Sequence, residues 1–522
     1  MANKALFKSI VGKLIRKADA VNEAGGVAYR LTPKAALAQY AATGCLNGTY
    51  YASAGEQLQA VLNLCAHPDV APEYIARVAL YARRKGHMKD LPALLCATLS
   101  VFGPGLMAEV FDRVIDDGRM LRNFVQIMRS GVVGRKSLGT LPKRLVQSWF
   151  DRRSDDQIFR ASVGNDPSLA DVIRMVHPRP ATASRAALYG YLIGRSYDAT
   201  ALPEIVRQFE AFKAGETDVA PDVPFQMLTA LDLKAAHWAK IAENAPWQMT
   251  RMNLNTFARH GVFADHAMVR RVANRLRDEQ AIARARIFPY QLMVAYTQTG
   301  SDVPGEVREA LQDAMEIATR NVSAFDGRVY VCPDVSGSMH SPVTGVRKGA
   351  TTAVRCVDVA ALVAATVLRT NPSAEVIPFK EDVVKGLVLN PRDSVMTNAR
   401  RMTEIPAGGT NCSAPLAWLN ARNAKGDLVI FVSDNESWVD RTLGRGTATM
   451  QEWSRFQARN PRAKLVCIDL QPYQTVQASE TGRDDVMNVG GFSDHVFEVI
   501  AQFAKGTLNT DQWVGVIEAE SL

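Results

Sequence analysis

The chain has 522 residues, 47% hydrophobic and 22% charged, with 35 Gly and 24 Pro. This is the balance of an ordinary globular protein of two to four domains, and it excludes collagen-like and largely disordered chains. The net charge of +8 is unevenly placed: residues 1–325 hold 41 Lys+Arg against 31 Asp+Glu, and residues 326–522 hold 20 against 22. All of the positive excess therefore lies in the first part. A basic region beside a near-neutral one points to an anionic partner, nucleic acid being the common case, with a well-solvated basic surface as the plainer alternative.

The opening segment MANKALFKSIVGKLIRKADA has lysines within its apolar stretch and no small-residue cleavage site, so it predicts an amphipathic helix and not a signal peptide. From there to about residue 325 apolar residues recur at helical spacing in short runs, each broken by turn residues. Examples are Tyr74–Arg84, Val110–Ile115, Met120–Met128, Pro142–Phe150, Ala186–Ile193, Val269–Arg277 and Val307–Ala318. Strand-like runs are nearly absent. Stacked helix pairs of HEAT type fit this texture, at roughly eight pairs for repeats of about 40 residues. After residue 325 strands and helices alternate. Arg328–Cys332, Ala374–Phe379, Asp427–Ser433 and Ala463–Leu470 read as strands. Val357–Arg369, Ser394–Met402, Ala414–Ala421, Met450–Ala458 and Asp494–Ala504 read as helices. That order predicts a doubly wound, mostly parallel α/β sheet with its ligand site at the carboxyl ends of the strands. The expected division is an α-helical repeat domain over 1–325 and an α/β domain over 326–522.

The longest apolar stretch, Val359–Leu368, falls short of the roughly 20 residues a membrane helix needs. The seven cysteines (45, 65, 96, 332, 356, 412 and 467) form no C-x-x-C pair, so neither a disulfide framework nor a zinc site is expected. Together these features predict a cytoplasmic protein with reduced thiols and no membrane partner.

One motif carries chemistry. The strand RVYVC runs into Pro333-Asp334-Val335-Ser336-Gly337-Ser338-Met339, the D-x-S-x-S pattern of a metal-ion-dependent adhesion site. Asp334 supplies a carboxylate at a strand end, Ser336 and Ser338 supply hydroxyls, and Gly337 lets the backbone turn between them. Ala407-Gly408-Gly409-Thr410 offers Thr410 as a third hydroxyl, and the strand DLVIFVS delivers Asp434 as the second carboxylate. Hard oxygen donors without nitrogen or sulfur favour a divalent cation, Mg²⁺ above Mn²⁺ or Ca²⁺. With two negative charges, such a site leaves a coordination position open to an acidic group of a partner. The alternative is a plain turn and helix cap. Position 336 is Ser where a D-x-D phosphotransferase has Asp, and the stretch lacks the G-x-S-x-G elbow. His340 two residues beyond Ser338 is no evidence of a nucleophile–base pair. There is also no Walker A loop and no H-E-x-x-H, so no enzyme activity is expected.

With the adhesion site placed, the chain resembles the Ro autoantigen family, defined by the TROVE module. Gly48-Thr49-Tyr50-Tyr51, Arg129–Arg135 (RSGVVGR), Asp171–Pro178 (DVIRMVHP), Ala285–Tyr290 (ARIFPY), Ile405–Thr410 (IPAGGT), Ser433–Trp438 (SDNESW) and Gly490-Gly491-Phe492 carry the likeness, which extends over essentially the whole chain. The resemblance implies a HEAT-like helical ring closed by a von Willebrand factor A domain. It implies Y-type small noncoding RNA on the outer basic surface and single-stranded 3′ ends of misfolded RNA in the central hole. It also implies a role in RNA quality control or degradation, with polynucleotide phosphorylase as a bacterial partner. Carried over by position, His177 falls on the family's RNA-contacting histidine, Arg174 shares its helix face, and Arg160 falls near an RNA-contacting lysine. Lys136, Lys143 and Arg144 follow the mid-ring junction and are candidates for the basic surface. For His177 a helix C-cap before Pro178 is the alternative, and for the lysines and Arg144 a solvated helix face. Asn411 stands where many relatives are expected to carry Asp, which removes a charge beside the metal site. A protein-binding scaffold that takes an acidic ligand at the adhesion site remains the competing reading of the whole chain.

Overall fold

The computed structural model describes residues 15–44, 46–165, 167–285, 289–320, 322, 324–346, 354–438, 446–508 and 512–522. Most of the expected amino-terminal amphipathic helix, Cys45 and the centre of the ARIFPY stretch lie outside them.

The helical part is built from short helices with explicit start signals. Pro33, Pro72 and Pro104 open the helices Pro33–Thr43, Pro72–Arg84 and Pro104–Val114, where a missing N–H costs nothing. Ser53 with Glu56, Ser154 with Gln157 and Ser168 with Asp171 form reciprocal capping boxes at Ala54–Cys65, Asp155–Ala161 and Leu169–Val176. Within the helical part, helices pack on partners one to three positions along the chain. Pro72–Arg84 lies on Asp90–Phe102, Gly118–Ser130 and Thr140–Asp151 both lie on Leu169–Val176, and His266–Leu276 lies on Gly305–Thr319. This is the neighbour-only packing of a solenoid.

The α/β part contains a five-stranded parallel sheet. In chain order the strands of the whole molecule are β1 (Ala20–Val21), β2 (Val27–Arg30), β3 (Val329–Pro333), β4 (Glu375–Val376), β5 (Leu428–Ser433), β6 (Lys464–Asp469), β7 (Thr475–Val476) and β8 (Val486–Gly490). The parallel sheet has the order β4-β3-β5-β6-β8. β3 and β5 are buried along their whole length, as expected for strands covered by helices on both faces. Two strand expectations change. The Ala374–Phe379 run keeps only two ladder residues, because Pro378 has no N–H, although Ile377 and Phe379 still donate to Val331 and Pro333. β8 was not expected, and it extends the sheet beyond β6.

The first residues belong with the last. β1 and β2 form a hairpin, and β2 pairs with β7 across Tyr29↔Val476, making a second, antiparallel sheet. Helix Pro33–Thr43 packs on β8, and the carboxy-terminal helix Gln512–Glu518 packs on Pro72–Arg84, where the Trp513 indole donates to the Tyr81 hydroxyl at 2.9 Å. At the other end, Pro289–Gln298 packs on Cys356–Thr370 and Gly305–Thr319 on Val395–Thr403. The helical array thus starts and finishes on the same α/β unit, which closes it into a ring. Among the described residues no helix is long and apolar enough to cross a membrane.

Candidate functional site

The carboxyl ends of β3 and β5 lie side by side, with Pro333 opposite Val432, and each delivers an aspartate. Asp334 is fully buried, and both of its oxygens are held: Oδ1 accepts the Ser336 N–H at 2.8 Å and Oδ2 accepts the Ser433 hydroxyl at 2.6 Å. The Ser336 and Ser338 hydroxyls stand 3.5 Å apart. The Gly337 N–H donates to the Gly408 carbonyl at 2.8 Å, which ties the first loop to the glycine-rich loop carrying Thr410. A side chain on Gly409 would run into the Trp438 indole, so the glycine is needed for this close approach. The structure therefore brings Asp334, Ser336, Ser338, Thr410 and Asp434 to one buried edge.

The electrostatics of this edge are unbalanced. Asp434 Oδ2 is buried with no hydrogen-bond partner among the described residues. Among the described residues no Lys, Arg or His forms an ion pair with Asp334 or Asp434. Burial, and then the neighbouring Asp434, push the Asp334 carboxyl above the usual range, and burial does the same to Asp434. An orphaned carboxylate oxygen, a second carboxylate and the hydroxyls of Ser336, Ser338 and Thr410, three loops in all, form a donor set that fits a hard cation. Asn411 turns away from this edge: its Oδ1 accepts the Ser413 N–H and hydroxyl at 3.1 and 2.7 Å, at the start of helix Ala414–Ala421. His340 Nδ1 lies 3.1 Å from an Arg355 nitrogen, so the ring is engaged with a cation.

Several neighbours of this edge were not picked out from the sequence. Glu436 is buried and accepts the Ala24 N–H at 3.2 Å through Oε2, while its Oε1 has no partner. Asp469, at the end of β6, is held by the Gln39 side-chain amide. Tyr51 reaches the edge from the helical part, where its hydroxyl lies beside Ser338. Tyr51 and Glu436 lie within the quoted GTYY and SDNESW stretches, but no local pattern gave either a role.

A second surface forms around helix Leu169–Val176. His177 is its C-cap in the left-handed region, φ 51°, with its N–H on the Ile173 carbonyl at 2.9 Å. The backbone thus takes the capping role while the side chain stays exposed. Gln147 of helix Thr140–Asp151 donates to the Val176 carbonyl at 2.6 Å. Lys143 and Arg144 precede Gln147 by four and three residues, so they share the helix side that faces His177. Lys136, Lys143 and Arg144 make no ion pair among the described residues, and neither do Arg179 and Arg195, which the sequence reading passed over. Arg174 is half-exposed and partly neutralised, with Asp171 at 3.1 Å and the Ile193 carbonyl at 2.6 Å. Arg160 is held by Asp222 at 2.7 Å. A separate cavity of about 390 Å³ lies where both ends of the array meet the α/β part, lined by Arg83, His87, Lys89, Gln248, Arg284 and Thr344 among others.

Comparison with known proteins accounts for this architecture. Residues 165–315 match the family described as the TROVE domain, and residues 328–504 match the Ro60 vWA domain. The chain is 27% identical to a Deinococcus radiodurans protein named RNA-binding protein RO60, over 93% of this chain and 95% of that protein. It is 23% identical to the Caenorhabditis elegans RNA-binding protein RO60, over 47% of this chain and 38% of the relative. The crystal structure of the Deinococcus radiodurans RO (RSR) protein superposes with a TM-score of 0.61 at 22% identity, covering 91% of this chain and all of that one. With two family domains in the expected order and a relative matched nearly end to end, the chain belongs to the Ro family, a TROVE helical ring closed by a von Willebrand factor A domain.

Proposed function

We propose that this protein binds RNA and has no catalytic chemistry of its own. The observation that carries the reading is the face around His177, where Lys143, Arg144, Arg179 and Arg195 have no carboxylate partner among the described residues. Cations already paired must break a contact to reach a phosphate, whereas these are free to do so. The names of the relatives, RNA-binding proteins, support the same reading. The outer face takes a structured small RNA of the Y type. The cavity lined by Lys89 and Arg284, with Arg83 at its wall already held by Asp116, takes a single-stranded 3′ end of misfolded RNA, because splayed nucleotides suit a basic pocket. The role is RNA quality control or degradation in the cytoplasm, with polynucleotide phosphorylase as the partner that supplies phosphorolytic chemistry.

At the adhesion edge, Asp334, Ser336, Ser338, Thr410 and Asp434 hold a divalent cation, Mg²⁺ by the hardness of the donors. When bound, the ion supplies the missing positive charge and a position for an acidic group. An acidic protein ligand at this edge is the second reading, favoured by the orphaned Asp434 oxygen.

The test is native purification followed by sequencing of co-purifying RNA, with the His177→Ala/Arg174→Ala variant alongside. A discrete structured RNA lost in the variant is expected. RNA that persists unchanged would move binding away from the outer face. Absence of RNA at low salt, with capture of an acidic protein that depends on Asp334, would overturn the RNA reading.

A further inference from the structure

The adhesion edge is covered by this chain's own amino-terminal part. The hairpin between β1 and β2 lies on the Asp434 loop, where the Asn22 amide donates to the Ser437 carbonyl at 2.8 Å and the Ala24 N–H to Glu436 at 3.2 Å. A strap over Asn47–Tyr51 lies on the loop that follows Ser338. The Asn47 amide donates to the Thr344 carbonyl at 2.8 Å, and the Val346 N–H donates to the Gly48 carbonyl at 2.7 Å, an antiparallel bridge. Thr49 stiffens the strap, its N–H on the Ala52 carbonyl at 2.7 Å and its hydroxyl accepting from Gln57 at 3.2 Å. The strap ends with the Tyr51 ring edge-on to Tyr473, centroids 5.9 Å apart, and its hydroxyl beside Ser338. Tyr473 in turn donates to Gln471 at 3.1 Å, and the Gln471 amide reaches the Ser341 hydroxyl at 3.1 Å. The approach to the proposed cation ligands from this side is therefore filled by the rings of Tyr51 and Tyr473.

We propose that the Asn47–Tyr51 strap is an internal occupant of the adhesion site, with the Tyr51 hydroxyl in the place that a partner's carboxylate would take. An acidic ligand and the strap then compete. Because the strap is where the helical array starts on the α/β domain, ligand capture at the metal and loosening of that seam are two readouts of one equilibrium. The proposal rests on the divalent-ion reading of Asp334 and its companions.

The test uses the full chain, the Tyr51→Phe variant and Asp334→Ala as the metal-dead control. Tyr51→Phe keeps the ring against Tyr473 and removes only the hydroxyl. Mn²⁺ uptake is read from the free-ion electron paramagnetic resonance signal. Acetate is then titrated into the Mn²⁺-loaded protein and followed by water-proton relaxation. In Tyr51→Phe, where water replaces the neutral phenol, Mn²⁺ affinity is expected to fall by no more than about threefold and acetate affinity to rise about tenfold, the worth of one hydrogen bond. Equal acetate affinities in two proteins that both bind Mn²⁺ would overturn the strap alone. Failure of the wild type to bind Mn²⁺ would overturn the metal reading and the strap with it.

Discussion

Among the described residues, two carboxylates at the adhesion edge are buried with no countercharge, and a set of cations on the face around His177 has no carboxylate partner. Both regions lack a partner, yet the physical consequence differs. A buried charge is costly and is compensated by one compact ion at fixed geometry. An exposed cation costs little, so a cluster of them tolerates a polyanion of variable shape and responds strongly to salt. The comparison explains how one chain can carry a rigid site for a small ion and a broad site for RNA without mixing them.

The comparison can be broken by exchanging readouts. The largest effect is expected from Asp334→Ala, which should lower Mn²⁺ affinity by about 100-fold or more in the resonance assay while leaving RNA affinity unchanged. Replacing Lys143, Arg144 and His177 together by Ala should weaken a structured RNA by about 30-fold at physiological salt and leave Mn²⁺ binding intact. A variant of either kind that moved both readouts would show the regions to be coupled.

A smaller effect sharpens the buried side. Burial raises the Glu480 carboxyl to about 7, against the lowering by the Asn488 N–H that it accepts. The folded state therefore binds the extra proton between about 4.5 and about 7, and this group's contribution to stability falls as pH rises through that window. Denaturant melts of Glu480→Gln should lose that slope and gain on the order of 1–2 kcal/mol over wild type at pH 8. The smallest effect is expected at Arg160, already paired with Asp222 on the surface: Arg160→Ala should change RNA affinity by less than about twofold in a filter-binding assay. A large loss there would mean that the ion pair opens to let Arg160 reach the RNA.

Much of this was legible in the sequence because it is local. Short apolar runs with helical period became helices, and LVIFVS became a fully buried strand. The loops bearing Asp334, Thr410 and Asp434 converge because the strands that carry two of them are neighbours in a parallel sheet. What escaped is non-local. No pattern near Tyr29 announces Val476 as its partner, and nothing in GTYY places Tyr51 beside Ser338. β8 hid because VMNVG carries an Asn, and that side chain is buried and held by the Ala478 carbonyl. Spacing put Arg174 on the face of His177 but could not show that the Ile193 carbonyl and Asp171 already hold it.

The most direct test of RNA binding at the His177 face is the salt dependence of affinity for a structured small RNA, wild type against the Lys143→Ala/Arg144→Ala/His177→Ala variant. A logarithmic plot should fall steeply for the wild type, and the variant should bind more weakly with a slope shallower by about two. Equal affinity and equal slope in the two proteins would contradict the assignment of this face.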